Sequence, residues 1–438
     1  MVDKKAVVIG AGIAGLSISL KLRSSDFYVV LLEGEQLPGG HSVSVKLGNY
    51  YMDLGPHIFR SANMHAIDYV KRLVNTINLK SIPRIYKYGN IFDNVIPVIT
   101  ENNINKLRSI KRNITVPDKL GPREGGNFEE ILVNLLGWDL YWEFFGEYSE
   151  KWWGLRGKDL DPDLVPRRLS IGKDPQYSHY TAQTYVEELY PSYGGFQEIP
   201  LGMYRLAVRS GVDVRLAYEV VKIECDSRRI NIIVKNKEKD REELMEFDNN
   251  TIIYSTIPLD VLSNILGLRT NYNIDYRGMI FAFFRFRGYT LFRDYSWLYL
   301  HEKRLTAGRL YDGSYYNRSS SGSEETVICV EVPSNPGDGK WENDVAVARR
   351  AFEELVGEGL VKLKTNSFND VLEYKVVKTR YAYPRFRVGY KDSVKMLHAD
   401  IKNICPNIRP EGRNGRFVYW NSNSLIENYL FGDYLEGP

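Results

Sequence analysis

Cysteine and histidine are scarce in this sequence, with three and six among 438 residues. The cysteines, Cys225, Cys329 and Cys405, are widely spaced and odd in number. Disulfide frameworks and metal sites draw instead on even or closely spaced sets. The histidines show neither an HxH nor an HxxxH spacing. We therefore expect no disulfide framework and no structural metal.

The sequence also has no large excess of charge of either sign. Its 58 basic and 55 acidic side chains leave a formal net charge of +3. Nucleic-acid binding needs a basic excess on one face, so we expect no nucleic-acid partner. A basic cluster at 105–113 leaves peripheral membrane contact as a minor possibility, although such clusters usually form a solvated face.

Long apolar runs are missing as well. A membrane-spanning helix needs ~20 apolar residues in succession, and the strongest run, Met279 to Phe284, has only the length of a strand. Near the N-terminus, Asp3, Lys4 and Lys5 precede a short β-type run and not the apolar region of a secretory signal. We expect no transmembrane segment, no signal peptide and a cytoplasmic location.

Glycine, in contrast, is concentrated near the start of the chain, in a closely spaced motif. The β-type run Ala6 to Ile9 leads into Gly10-Ala11-Gly12-Ile13-Ala14-Gly15 and then into an apolar-periodic helix. This strand, turn and helix form the context of a dinucleotide-binding fingerprint. Gly10 permits the tight turn, Gly12 lets the backbone approach a pyrophosphate, and Gly15 lets the helix pack against the strand. The helix N-terminus, which begins with Ile13 and Ala14, then directs free N–H groups at the phosphates.

A second predicted strand, Tyr28 to Leu32, ends at Glu33. This carboxylate lies 33 − 10 = 23 residues after the first glycine, a spacing that suits hydrogen bonds to the ribose hydroxyls of adenosine. Together with the glycines, Glu33 predicts dinucleotide binding; the alternative is a tight turn with no ligand.

The segment EGEQLPGGHS, which contains Glu33, Gly34, Gly39, Gly40 and His41, resembles a signature of FAD-dependent amine oxidoreductases. That superfamily includes amine oxidases, protoporphyrinogen oxidase, phytoene desaturases and UDP-galactopyranose mutase. The resemblance implies that the cofactor is FAD. It also implies an α/β fold in which a Rossmann-like FAD-binding domain of the glutathione-reductase type carries an inserted substrate domain of mixed sheet and helix.

Other segments extend the resemblance along most of the chain. Tyr50 to Asn63, Asn127 to Gly154 and Gly412 to Leu430 are similar to stretches of the mutase branch. These matches complete the implied FAD site, whose further residues are Gly55, Pro56, His57, Val221, Gly412, Arg413, Asn421, Asn423 and Ser424.

We expect a discontinuous cofactor domain built from residues 1–80, 194–265 and 390–438. Residues 81–193 and 266–389 would form the helical and sheet parts of the substrate domain. Asn127 and Glu130 are spaced to cap a helix that begins there. The charged segment Lys235 to Phe247 is interpreted as a solvated turn between strands.

Three residues are catalytic candidates. His57 is placed by its motif against the flavin ring, where an imidazole could tune the cofactor or move a proton. Tyr419 and Arg277 lie in stretches that resemble the family's substrate region, and Tyr419 matches the tyrosine that contacts the diphosphate in the mutases. The substrate-binding candidates are Arg60, Trp152, Trp153, Arg309, Arg385 and Tyr419.

Three functions are compatible with these motifs. The favoured one is an FAD-dependent oxidoreductase that takes a hydride from a small molecule such as an amine or a sugar-derived intermediate. A sugar-nucleotide mutase using reduced FAD is the alternative, but this chain has Arg60, Gly172 and Val332 where the mutases have a second histidine, a second arginine and a tyrosine. A non-enzymatic protein like the GDP-dissociation inhibitors is the third.

Overall fold

The computed structural model describes residues 4–172, 187–268, 272–316, 324–365 and 367–434. Strands and helices alternate along the chain in a mixed α/β fold. The strands are β1 Lys5–Ile9, β2 Tyr28–Leu32, β3 Ser44–Leu47, β4 Tyr50–Asp53, β5 Phe59–Ser61, β6 Thr76–Asn78, β7 Pro83–Lys87, β8 Asn90–Asp93, β9 Val98–Ile99, β10 Ser170–Ile171, β11 Glu187–Pro191, β12 Asp213–Arg215, β13 Tyr218–Cys225, β14 Arg229–Asn236, β15 Arg241–Asp248, β16 Ile252–Ser255, β17 Tyr276–Thr290, β18 Trp297–Leu300, β19 Arg309–Asp312, β20 Glu325–Pro333, β21 Val361–Leu363, β22 Val371–Pro384 and β23 Ile408–Pro410.

The helices range from single turns to four turns. They are α1 Ile13–Ser24, α2 Met64–Leu73, α3 Glu101–Ile110, α4 Phe128–Tyr141, α5 Glu147–Trp153, α6 Glu198–Arg209, α7 Leu259–Ile265, α8 Gly313–Tyr316, α9 Gly339–Glu342, α10 Asp344–Gly357, α11 Tyr390–Ile404, α12 Gly412–Gly415 and α13 Ser422–Ile426. No helix in the described ranges is both long and apolar enough to cross a bilayer.

A five-stranded parallel sheet has the order β12-β2-β1-β16-β23. Its central strand β1 is buried on both faces: Ala6 and Val8 pack in the cluster that contains α1, and Val7 and Ile9 pack in the cluster that contains β13, β14 and α11. A parallel strand covered on both faces is apolar along its whole length, which is why the run Ala6 to Ile9 has no polar residue.

Beside this sheet, β13, β14 and β15 form an antiparallel meander. The interpretation of Lys235 to Phe247 as a solvated turn is wrong for most of its length, because the turn is confined to 237–240 and the strand β15 follows. Along β15 exposed residues, most of them charged, alternate with partly buried ones, and Met245 and Phe247 pack against the core. One solvated face on an edge strand gives this alternation, and the charges concealed the strand in the sequence.

A second, larger sheet has the order β21-β17-β20-β19-β18-β7-β8, and β22 also pairs with β17. The apolar run Met279 to Phe284 lies inside β17 and is fully buried, as a central strand should be. The sheet joins β7 and β8, from before residue 100, to strands from the second half of the chain. It therefore unites the two segments predicted to form the substrate domain.

Two of the three cysteines form a disulfide, which corrects the expectation from the sequence. Cys225 ends β13 and Cys405 follows α11, and their Cα atoms are 5.5 Å apart although 180 residues separate them. Both elements pack in the same hydrophobic cluster, so tertiary packing, and not sequence spacing, creates the pair. Cys329 is a free thiol buried in β20.

Two of the four basic side chains in the cluster at 105–113 are engaged by other groups of the protein. Lys106 donates to the main-chain oxygen of Ile91 at 2.5 Å, and Lys111 forms an ion pair with the buried carboxylate of Glu143. Arg108 and Arg112 remain exposed. Membrane contact at this cluster stays a prediction, with two exposed arginines to support it.

Candidate functional site

The turn between β1 and α1 depends on glycine at two points. Gly10 has a φ of +97°, and a Cβ on it would lie 2.5 Å from the Thr256 hydroxyl oxygen. A Cβ on Gly15 would lie 1.8 Å from the main-chain oxygen of Gly10. These contacts leave no space for a side chain, so the helix packs directly on the strand end.

Gly12 is different, because its Cβ would meet only the main-chain oxygen of Gly39 at 4.0 Å. Gly39 N donates to Ala11 O at 2.9 Å, so the predicted glycine pair runs alongside the turn. Gly39 and Gly40 have φ values of +130° and +56°. Gly12 directly precedes the first turn of α1, formed by Ile13, Ala14 and Gly15, whose N–H groups have no acceptor within the helix.

Glu33 lies at the adjacent strand end. Its carboxylate accepts from Ala11 N at 2.6 Å and from Glu35 N at 2.9 Å, which fixes its orientation toward the turn. Burial raises the pKa of Glu33 above its usual value, and the main-chain donors oppose that shift. Gly34 packs against Glu219 on β13, and Val221 sits at a bulge in the same strand. The predicted residues of the adenosine end therefore converge.

The C-terminal segment reaches the same turn from the other end of the chain. Gly412 has a φ of +73°, and its Cβ would lie 3.0 Å from the Cβ of Ala14. Arg413 donates to Trp420 O at 2.7 Å and to Asn421 Oδ1 at 3.2 Å. Helix α13 begins at Ser422, so that Asn423 and Ser424 lie in its first turn with Asn421 as the preceding residue.

Two neutral histidines lie near this junction. Burial and the Arg413 charge lower the pKa of His41 to about 4. Burial and the charges of Arg309 and Arg413 lower the pKa of His57 to about 3. The His57 ring stacks on Phe196 at 5.0 Å between centroids, and its Nδ1 is buried with no hydrogen-bond partner among the described residues.

Two tyrosines near the histidines, Tyr383 and Tyr419, form a surface that we call the aromatic wall. Tyr383 and Tyr419 are nearly parallel, with centroids 5.7 Å apart, and the Arg413 guanidinium lies 5.7 and 5.3 Å from their rings. Tyr419 keeps 44% of its surface exposed, while the surrounding protein raises its pKa and keeps the hydroxyl neutral. Trp152 and Trp153 are buried behind Tyr383, 5.9 and 6.0 Å from its ring.

Behind the wall lies a buried ion pair. Arg309 makes a two-pronged contact with Glu331 at 2.6 and 2.8 Å, and donates to the Tyr383 hydroxyl at 3.2 Å. Its guanidinium also faces the Trp152 ring at 5.2 Å. A Cβ on Gly55 would lie 3.2 Å from this guanidinium, so the Gly55-Pro56-His57 turn rests on the pair.

Two further predicted arginines, Arg277 and Arg385, are held by protein groups. Arg277 donates to Trp152 O at 2.6 Å and to Asn335 Oδ1 at 2.5 Å, and burial lowers its pKa to about 10. Arg385 pairs with Asp275 at 2.6 Å and donates to Trp153 O at 3.0 Å. A catalytic role of Arg277 and substrate binding by Arg385 stay predictions, which these bonds disfavour. Arg60, another predicted residue, lies over the Trp297 ring at 5.9 Å.

Glu331, Tyr383 and Phe196 belong to the site but are not among the residues predicted for it. Glu331 had a usable signal, because a lone carboxylate inside the apolar run Thr326 to Pro333 calls for a buried partner. Phe196 and Tyr383 had no such signal, because the sequence alone does not distinguish an aromatic residue of the core from one of a binding site.

The family model of the flavin containing amine oxidoreductases matches residues 13–406. The chain is 22% identical to the UDP-galactopyranose mutase of Mycoplasma pneumoniae over 346 residues, which cover 75% of this chain and 78% of the relative. It is 24% identical to the all-trans-zeta-carotene desaturase of Myxococcus xanthus over 271 residues, or 52% and 48% of the two chains. It spans about half or less of the length of the first curated relatives that it matches.

Solved structures share the fold. A crystal structure of reduced UDP-galactopyranose mutase superposes with a TM-score of 0.71 and 17% identity, over 100% of this chain and 94% of that one. At this identity the likeness concerns the architecture alone, and function has to be argued from the site.

Proposed function

This chain belongs to the flavin containing amine oxidoreductases, and from that premise we propose that it is an FAD-dependent oxidoreductase acting on a small molecule. The five-stranded parallel sheet and its meander support a Rossmann-like FAD-binding unit of the glutathione-reductase type. The fingerprint glycines end the central strand of that sheet, where such units bind their ligand.

The residues at the turn suit a dinucleotide. The space beside Gly12, which a Cβ would fill, and the free N–H groups of α1 would receive the diphosphate. Glu33 would accept hydrogen bonds from ribose hydroxyls. Arg413, with Asn421, Asn423 and Ser424 at the start of α13, would hold the flavin end.

The proposed division into domains follows the sheets. The five-stranded sheet and the meander draw only on residues 1–80, 194–265 and 390–438, and the larger sheet draws only on 81–193 and 266–389. The small sheet of β5, β11 and β6 joins the two parts, because β11 belongs to the second set and its partners to the first.

FAD, when bound, accepts a hydride from the substrate. The protein would orient the substrate with the exposed face of Tyr419, whose neutral hydroxyl can donate a hydrogen bond. His57 would take part as a neutral imidazole, because a pKa of about 3 makes it a weak base at neutral pH. Its role is then hydrogen bonding near the flavin and not proton storage.

One observation carries the choice of an oxidoreductase over a mutase. Arg277, Arg309 and Arg385 give their guanidinium groups to Glu331, Asp275, Asn335 and main-chain oxygens. Taking an arginine from a buried carboxylate leaves that carboxylate unpaired, at a cost of about 3–5 kcal/mol. The cost applies to Arg309, whose partner Glu331 is fully buried; Arg385 is paired with the partly exposed Asp275, and Arg277 is engaged by Asn335 and main-chain oxygens. A nucleotide diphosphate would have to compete with these protein contacts, whereas a substrate without a diphosphate makes no such demand.

The mutase remains the second candidate, because the chain covers most of a mutase relative and nearly all of a mutase fold. A non-enzymatic binding protein is the weakest of the three, since the open space beside Gly12 suits a dinucleotide and has no other evident use.

The test is anaerobic mixing of the FAD-loaded protein with amines, alcohols and nucleoside-diphosphate sugars, in the oxidised and the dithionite-reduced form separately. We expect a substrate to remove the visible absorption of the oxidised form, with one equivalent of product per flavin. Turnover of a nucleoside-diphosphate sugar by the reduced form alone, without flavin oxidation, would establish the mutase instead.

A further inference from the structure

A buried carboxylate, that of Asp53, lies four residues before His57. Asp53 ends β4 and is 1% exposed. Its Oδ1 accepts from the Ser44 hydroxyl at 2.6 Å and from Phe196 N at 2.9 Å, and its Oδ2 accepts from the Tyr190 hydroxyl at 2.8 Å. Three donors from three separate segments therefore meet at one side chain, and no cation is among them.

The main chain of Asp53 is anchored as well. The Tyr311 hydroxyl and Gly55 N both donate to its carbonyl oxygen, at 2.9 and 2.8 Å. Gly195 has a φ of +79°, and a Cβ on it would lie 2.4 Å from the Ser44 hydroxyl and 3.0 Å from the Asp53 carboxylate. The segment that carries Phe196 is thus closed tightly around the carboxylate.

These contacts lead to His57 by two routes. The first runs along the chain, from the anchored carbonyl of Asp53 through Gly55 to His57. The second runs through space, because Asp53 holds Phe196 N and the Phe196 ring stacks on the imidazole. His57 Nδ1 has no hydrogen-bond partner among the described residues, so its orientation depends on the turn and on that stack.

We infer that Asp53 is a positioning residue that fixes the His57 imidazole beside the flavin, by holding the Gly55-Pro56-His57 turn and the Phe196 ring together. This inference rests on the proposed FAD site. Asp53 touches no substrate or cofactor itself; its effect passes through Phe196 and the turn.

A protonation change at Asp53 would loosen this arrangement. Burial raises the pKa of the carboxyl to about 6, while its hydrogen bonds from Ser44, Phe196 and Tyr190 lower it. Once protonated, the group loses acceptor capacity toward three donors. The other titratable groups that face it are Tyr190, Tyr311, Tyr316 and Cys329, and burial raises the pKa of each well above its usual value. They are neutral wherever Asp53 titrates.

The experiment follows the visible absorption and circular dichroism of the FAD-loaded protein from about pH 5 to pH 7.5, the range around the expected midpoint. We expect a one-proton change in the flavin signal near pH 6 in the wild type and none in Asp53→Asn. Tyr316→Phe is the matched control. Tyr316 belongs to the same buried tyrosine cluster, but its hydroxyl donates to Ser296 O and not to Asp53, so it should leave the change intact.

Ser44→Ala is the second variant, in case Asp53→Asn does not fold. Loss of a hydroxyl that stabilises the carboxylate should move the midpoint to higher pH. A flavin signal without a transition in the wild type, a transition that persists in Asp53→Asn, or an unmoved midpoint in Ser44→Ala would overturn the inference and leave the proposed function standing. A protein that takes up no FAD would overturn both.

Discussion

At the scale of single residues, two glycines of one turn have opposite reasons to be glycine. The Cβ of Gly15 would strike the main-chain oxygen of Gly10 at 1.8 Å, whereas that of Gly12 would enter open space. Gly12 also has an ordinary φ of −71°, so alanine brings no backbone strain there. Gly15 therefore serves the fold, whereas Gly12 is proposed to serve the ligand.

The substitution Gly12→Ala should therefore leave the apo-protein as stable as the wild type and weaken FAD binding at least tenfold, or about 1.4 kcal/mol. The measurement is FAD titration by fluorescence quenching, with thermal unfolding of the apo-protein alongside. Gly15→Ala is the matched comparison, and it should lower the apo-protein's Tm. Equal FAD affinity in Gly12→Ala and wild type would show that the space beside Gly12 is not the diphosphate site.

A second prediction at this scale concerns the buried ion pair. Glu331→Gln should destabilise the protein by about 3–5 kcal/mol, because it leaves the Arg309 charge without its partner in a site where Glu331 is fully buried. Urea unfolding measures the loss. The double variant Arg309→Met/Glu331→Gln removes both charges and should recover part of it. A loss below about 1 kcal/mol in Glu331→Gln would be that of an exposed pair and would contradict the assignment.

The residues around the glycine turn could be predicted because their roles are local. Strand, glycines and helix follow one another in the chain, and Glu33 ends the next strand. The ion pair could not be predicted in this way. Arg309 and Glu331 are direct cross-strand partners in β19 and β20, and that register is invisible without the sheet. The same limit applies to the protein partners of Arg277 and Arg385, which lie far away in sequence and could not be foreseen.

At the scale of elements, local signals located some boundaries well. Asn127 caps α4 through Glu130 N as its spacing suggested, and β2 ends where expected. The bend within α4 at Gly137, which has a φ of +73°, was not foreseen, because a glycine inside an apolar-periodic helix is compatible with a straight helix too.

The disulfide connects two elements, and its prediction belongs here. Cys225→Ser should lower stability by about 5 kcal/mol, the entropic value for a closed loop of this length. Chemical unfolding with and without a reducing agent measures it. Reductant should destabilise the wild type and leave Cys225→Ser unchanged. Equal unfolding of the wild type under both conditions would mean that the bridge does not stabilise the fold.

At the scale of the whole molecule, the order of strands in the two sheets could not be obtained from the sequence. The parallel sheet collects β1, β2, β12, β16 and β23 from three separate regions of the chain, and the larger sheet pairs β7 with β18. Such pairings depend on which hydrophobic faces pack against each other, and the composition of the strands does not determine this packing. The resemblance to a known family supplied the prediction of a discontinuous cofactor domain, whose segments the strand patterns alone would have left as separate pieces.

We propose that three distant segments of the chain, residues 1–80, 194–265 and 390–438, meet to hold one FAD. The most direct measurement is the visible spectrum of the protein after incubation with FAD and gel filtration, with flavin and protein concentrations determined separately. We predict a yellow protein with one FAD per chain, and a lower ratio of FAD to protein for Gly12→Ala under the same dilution. A wild-type protein that elutes colourless would contradict the account, whatever substrate is offered to it.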